Sequence, residues 1–146
     1  MDDKPFLAAA LLCEKILEQK DDVLTVVRIV DTFTVTIPPN LPQDTKPAIQ
    51  LTALLSFKKA SPRAEAEKHE VRMKLRSPSG KINPVGRREF SFKPDDLSGV
   101  SLILNITLGV SDYGLFWLEI SVDDDEIVTS IPFKLLEAVS PSETIR

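Results

Sequence analysis

The stretch VSLILNITLGVSDYGLFWLEISVDDDEIVTSIPFKLL, residues 100–136, decides the fold. Val100, Leu102, Leu104, Ile106 and Leu108 are apolar at every second position. The turn Gly109-Val110-Ser111-Asp112-Tyr113-Gly114 follows, and Phe116, Leu118, Ile120 and Val122 then alternate again. Asp123-Asp124-Asp125 makes a second turn, after which Ile127, Thr129, Ile131, Phe133 and Leu135 resume the period. Successive side chains of a strand point to opposite faces, so period-two apolarity between Gly and Asp turns predicts antiparallel strands with one buried face. Three such strands in a row form a β-meander.

The same pattern extends upstream. Val71, Met73 and Leu75 point one way and Glu70, Arg72, Lys74 and Arg76 the other, which predicts a strand with a solvated outer face. Charges on that face also discourage edge-to-edge association. Ser77-Pro78-Ser79-Gly80 reads as a turn. Phe90 and Phe92 define a short strand ended by Lys93-Pro94-Asp95-Asp96. Ile49, Leu51, Ala53, Leu55 and Phe57 lie on one face of a strand over residues 48–59, and residues 60–68 form a polar loop with room for one helical turn. Residues 23–36 are rich in Val, Ile and Thr, which suits a pleated, half-buried surface, with Asp31 marking a bend. Pro38, Pro39, Pro42 and Pro47 then make an extended crossing between sheets. The PxxP at residues 39–42 matches a polyproline ligand, although a stiff crossing accounts for it.

Residues 5–19 admit two readings. Asp2 or Asp3 as a cap, Pro5 in the first turn and Ala8-Ala9-Ala10-Leu11-Leu12 favour a helix. The unbroken apolar run over residues 6–13 favours a strand buried on both sides. The composition leans to a strand ending near Cys13, then a helical turn over residues 14–19 and a polar turn at Lys20-Asp21-Asp22. The run FLAAALLC also resembles the core of a lipoprotein signal. Acids precede it, however, and bulky Leu12 stands before the cysteine, so Cys13 reads as a small buried hydrophobe.

About eight strands with short turns predict an all-β protein: an antiparallel two-sheet β-sandwich, immunoglobulin-like. The expected domain covers residues 1–137, with a flexible C-terminal tail over 138–146. A length of 146 residues supports one such core. The net charge of −4 gives no electrostatic reason to expect nucleic-acid or anionic-membrane binding. No run approaches the roughly 18 apolar residues of a membrane span. The single cysteine forbids an internal disulfide, which points to the cytoplasm.

The residues of catalysis are sparse. His69 is the one histidine and reads as a solvated residue at a strand entry; no G-x-S-x-G elbow accompanies it. One His and one Cys leave no ordinary zinc site, and no cofactor is expected. Asp123-Asp124-Asp125-Glu126 is the best cation candidate, but calcium loops space their acids by two and include glycine, so a solvated turn is the simpler reading. Gly80-Lys81 lacks the rest of a phosphate loop. Arg87-Arg88 with Lys81 and Lys93 forms a basic patch near Phe90 and Phe92, whose alternation turns them to the core. Asn105-Ile106-Thr107 matches a glycosylation acceptor but lies mid-strand.

One surface stands out. Leu115, Trp117, Glu119 and Ser121 occupy the face of their strand opposite the core. Either the N-terminal segment covers Trp117, or Leu115, Trp117 and Glu119 form a docking patch.

Two resemblances bear on this reading. Immunoglobulin-like domains carry S-L-x-I followed by D-x-G-x-Y-x-C. Here Ser101-Leu102-Ile103-Leu104 is followed by Asp112, Gly114, Phe116 and Leu118 at the same spacing. Phe116 and Leu118 stand at the tyrosine and cysteine positions, so the resemblance implies the sandwich without its disulfide. The Val-Leu-x-Val-Val-Arg-Ile-Val-Asp-x-Phe strand over residues 23–33, Ser-Pro-Ser-Gly, and a hairpin closing on Ile131-Pro132-Phe133 resemble a family of small bacterial proteins known as a domain of unknown function. That resemblance implies a bacterial cytosolic sandwich and brings no site residues. The expected function is a non-enzymatic protein-interaction module, an accessory or adaptor subunit with a protein partner and scope for homo-oligomers. A small-ligand, carbohydrate or calcium-binding sandwich, with its site at the loop ends near Asp112-Tyr113 and residues 123–126, is the alternative.

Overall fold

The computed structural model describes residues 5–21, 23–37, 40, 42, 46–59, 68–92, 99–124 and 126–138. It contains nine strands: β1 Phe6–Glu18, β2 Leu24–Ile29, β3 Thr32–Thr36, β4 Ala48–Lys58, β5 Lys68–Arg76, β6 Ile82–Ser91, β7 Val100–Gly109, β8 Gly114–Val122 and β9 Ile127–Ala138. They form a four-stranded sheet in the order β2-β1-β4-β7 and a five-stranded sheet in the order β3-β9-β8-β5-β6. The protein is thus an all-β sandwich. Pro39 and Leu41 of the PxxP, most of the loop over 60–68, the turn at 93–96 and most of the tail lie outside the described residues.

The apolar alternation translates directly into the space between the sheets. Leu51, Ala53, Leu55 and Phe57 of β4 meet Leu118 and Ile120 of β8 and Val71, Met73 and Leu75 of β5 in one buried cluster. Each large aliphatic or aromatic side chain buried there contributes about 1.5–3 kcal/mol. Phe57 stacks on Phe90 of the opposite sheet, their ring centroids 4.5 Å apart. Phe116 stacks on Phe133 at 5.4 Å. Phe90 and Phe92 are both buried, as their alternation predicts.

Several elements depart from the sequence reading. The segment after Cys13 is not a helical turn: β1 runs unbroken from Phe6 to Glu18. Residues 6–13 of β1 pair with β4, and residues 13–18 pair with β2 on the other side. The backbone groups of residues 14–18 therefore find partners in β2, and ladder bonds outweigh the modest helix propensity of Glu14 and Lys15. Ala9 and the hairpin residues Glu18, Gln19 and Leu24 line one groove of about 590 Å³ with Leu54 and Ser101. A straight strand would hold Ala9 and Glu18 roughly 30 Å apart. The hairpin therefore folds back over the outer face of its own sheet. Cys13 and Leu54 lie on that outer face, yet are only 1% and 8% exposed.

The expected bend at Asp31 separates β2 from β3 and sends the chain into the second sheet. There β3 pairs with β9 in parallel, the one parallel pairing among the described strands. β6 is ten residues long rather than a short strand around Phe90. Its register with β5 slips between Met73 and Lys74, which pair with Gly86 and Pro84 and leave Val85 as the extra residue of a bulge. Pro84 and the bulge are tolerated because β6 is an edge strand. Arg88 reaches across the side of the sandwich, where its guanidinium donates to the Ile103 carbonyl of β7 at 3.1 Å.

Candidate functional site

The outer face of the five-stranded sheet holds the candidate surface. Register fixes its rows: Trp117 of β8 lies between Pro132 of β9 and Arg76 of β5, and Arg76 lies opposite Ile82 of β6. Leu115 sits one step along β8, opposite Lys134. Leu136 follows on the same face of β9. Trp117 is 37% exposed and Leu115 41%. Ile82 at 49% and Leu136 at 46% extend the apolar surface to either side. The described part of the N-terminal segment does not lie over Trp117, because β1 pairs with β4 in the other sheet. The parity of residues 131–135 placed Pro132 and Lys134 on this face. Ile82 carried no such signal, because its strand was not recognisable.

Glu119 departs from the patch. It is 7% exposed, and its Oε2 accepts from the Arg76 guanidinium at 2.6 Å. Lys74 lies directly opposite it on β5. A carboxylate that shares a face with Trp117 is thereby covered by the long side chains of the next strand. The pairing holds the Arg76 head beside Trp117 and offsets the desolvation of Glu119. On the rest of the β5 face Arg72 is exposed as predicted, whereas Glu70 and Lys74 are half-buried, and Arg72 Nε lies 2.5 Å from Glu70 Oε1. Among the described residues the basic patch does not form as one surface, and Lys93 lies outside them. Arg87 lies opposite Arg72 on the outer face, whereas Arg88 is turned to the Ile103 carbonyl.

His69 is a correction. It is 7% exposed rather than solvated, because it enters β5 opposite Phe90 and packs against Phe90 and Phe92. Its Nδ1 donates to Asp123 Oδ2 at 2.7 Å, since an ionised carboxylate only accepts. Asp123 also accepts from the Glu70 N–H through Oδ1 at 2.9 Å, and its own N–H donates to the Glu70 carbonyl at 2.8 Å. Asp123 adopts φ +65°, a left-handed conformation that Asp tolerates better than most residues. The Asp123 carboxylate thus ends the β5–β8 ladder and holds the histidine. The neighbouring Asp124 accepts from the Glu126 N–H at 2.9 Å. Two carboxylates of the acidic turn are therefore engaged in local hydrogen bonds, and Asp125 lies outside the described residues. Among the described residues, no three His, Cys, Asp or Glu side chains converge on a common point.

The two loop ends of the alternative reading lie apart. Asp112 and Tyr113 precede β8 and Asp123 follows it, so the two loops lie at opposite ends of a nine-residue strand, roughly 30 Å apart. At the first end, Ser79 Oγ donates to Asp112 at 3.3 Å, and burial followed by the charge of Glu137 raises the Tyr113 pKa. Burial likewise raises that of Cys13, whose Sγ lies 3.7 Å from the Thr52 carbonyl. No helix among the described residues is long and apolar enough to cross a membrane.

Two superpositions on solved structures support the fold. A β-glucosidase of Erythrobacter marinus superposes with a TM-score of 0.55 at 10% identity, over 92% of this chain and 16% of that one. A β-glucosidase of Listeria innocua gives 0.52 at 7% identity, over 92% and 16%. β-Glucosidase 3B of Thermotoga neapolitana, solved with glucose, gives 0.49 at 13% identity, over 58% and 14%. This chain therefore spans a small part of each enzyme, and the likeness concerns the fold alone. No curated protein sequence matches. A family model does match residues 8–136, and the chain belongs to that family of unknown function, DUF6941.

Proposed function

We propose that the chain is a non-enzymatic protein-interaction module, an accessory or adaptor subunit of the bacterial cytoplasm, that docks a protein partner on the outer face of its five-stranded sheet. The observation that carries this reading is the row Pro132–Trp117–Arg76–Ile82, flanked by Leu115 and Leu136. A large aromatic, an arginine held in place by Glu119 and several exposed aliphatics on one flat face are the residue types that anchor interfaces. The site residues are Leu115 and Trp117, with Glu119 acting through Arg76. The strand order, with β3 parallel to β9 at the edge of the second sheet, supports the finer immunoglobulin-like reading of the sandwich. A lone cysteine buried beneath a hairpin is compatible with a reducing compartment.

The test is capture of partners from native cells by wild type and by Trp117→Ala, with partners quantified by mass spectrometry. The variant should retain its fold, since Trp117 lies outside the buried cluster, and lose the specific partner. An unchanged partner set in a folded variant refutes the proposal.

A further inference from the structure

The four sheet edges are not alike. β2 has six residues and a kink at Arg28, whose φ is +53°. β3 has five residues. β6 carries Pro84, a bulge and the charges Arg87, Arg88 and Glu89. Each of these is a device that blunts an edge against further pairing. β7 has none of them. It is ten residues long, VSLILNITLG, without charge or proline, and its register with β4 is continuous from Val100 to Gly109.

The parity of its backbone groups is fixed from both sides. The Val110 N–H donates to the Pro47 carbonyl at 2.8 Å, so even-numbered groups point to β4. The Ile103 carbonyl receives Arg88, so odd-numbered groups point outward. Arg88 thus occupies the edge at Ile103. Beyond it, the outward backbone groups of Asn105, Thr107 and Gly109 meet no other strand among the described residues.

We infer that β7 pairs antiparallel with β7 of a second copy about a two-fold axis at Thr107, joining two four-stranded sheets into one of eight strands. The inference deepens the interaction-module reading and rests on it, but uses the opposite sheet from Trp117. The second copy is favoured because the strand complements itself. Around this axis Thr107 faces Thr107, Asn105 faces Gly109, and no like charges are opposed. On the inner face Ile106 meets Leu108, which is only half-buried within one copy. An axis nearer Ile103 would displace Arg88 from its carbonyl.

Sedimentation velocity over a concentration series tests this on the full chain. Wild type should dimerise. Thr107→Pro removes an outward N–H and leaves the bonds to β4 intact, and should raise the dimer dissociation constant by about tenfold or more. Thr107→Lys places two ammonium groups opposite each other at the axis and should do the same, which keeps the test valid if the proline variant fails to fold. Trp117→Ala should leave the dimer unchanged. A monomeric wild type, or a dimer that Thr107→Lys leaves intact, overturns the inference. Either result leaves partner capture through Trp117 standing, whereas loss of that reading shows only in the capture experiment.

Discussion

Asp123 offers the sharpest test of how the sandwich end is held. Its carboxylate accepts from the Glu70 N–H and from His69 Nδ1, and its backbone sits at φ +65°. Asp123→Ala removes both side-chain bonds. The bond to the exposed N–H is worth about 1 kcal/mol, and leaving a nitrogen of buried His69 without its acceptor costs about 1–2 kcal/mol. A Cβ without a local hydrogen bond in the left-handed region adds part of the 1–2 kcal/mol usual there, for a total near ~3 kcal/mol. Asp123→Gly loses the same bonds but escapes the conformational term, so about 2 kcal/mol is expected. Asp123→Asn keeps an acceptor for Glu70, and its NH2 donates to His69 Nδ1 once the imidazole carries its proton on Nε2, so it should cost less than about 1 kcal/mol. Urea unfolding of the three variants at neutral pH measures these differences. In thermal melts the alanine variant should fall by roughly 6–12 °C. The order Asn, Gly, Ala from mildest to most severe is the prediction. A glycine variant less stable than the alanine variant would refute the left-handed placement, and an asparagine variant as damaged as alanine would refute the bonding.

Two further outcomes follow from packing. At Gly99 an added Cβ would lie 2.2 Å from the Phe57 carbonyl oxygen, whereas at Gly109 it would meet nothing within 4 Å. Gly99→Ala should therefore lower the denaturant midpoint by an amount equivalent to about 2 kcal/mol or more, while Gly109→Ala stays within about 0.5 kcal/mol. Equal effects would contradict the close approach. Cys13 has a raised pKa and 1% exposure, so its thiol should be alkylated by iodoacetamide far more slowly than a free cysteine at pH 8 and reach the free rate in urea. Rapid labelling of the native protein would mean that the hairpin does not cover it.

The meander was legible because the middle of one face is buried, with Phe116, Leu118 and Ile120 4%, 0% and 0% exposed, although Ile127 at the start of β9 is 47% exposed. β6 was not, because Asn83, Pro84, Gly86 and two arginines have the composition of a loop; only pairing with β5 around a bulge makes them a strand. For residues 14–18 the partner is the β2 hairpin, which local propensity cannot anticipate. Parity placed Trp117 and Glu119 on the same face correctly, but parity says nothing of what lies above that face. Glu119 is covered by Arg76, which is remote in sequence and adjacent only through the β5–β8 register. His69 was misread for the same reason, since Asp123 reaches it from across that ladder.

The parallel pairing of β3 with β9 joins residues roughly a hundred positions apart. On the ribosome, β3 has no parallel mate until β9, roughly a hundred residues later, has been translated. Until then it offers its polar backbone to any passing extended segment. Completing this sheet thus means closing a long loop, so its parallel edge forms after the first hairpins rather than with them.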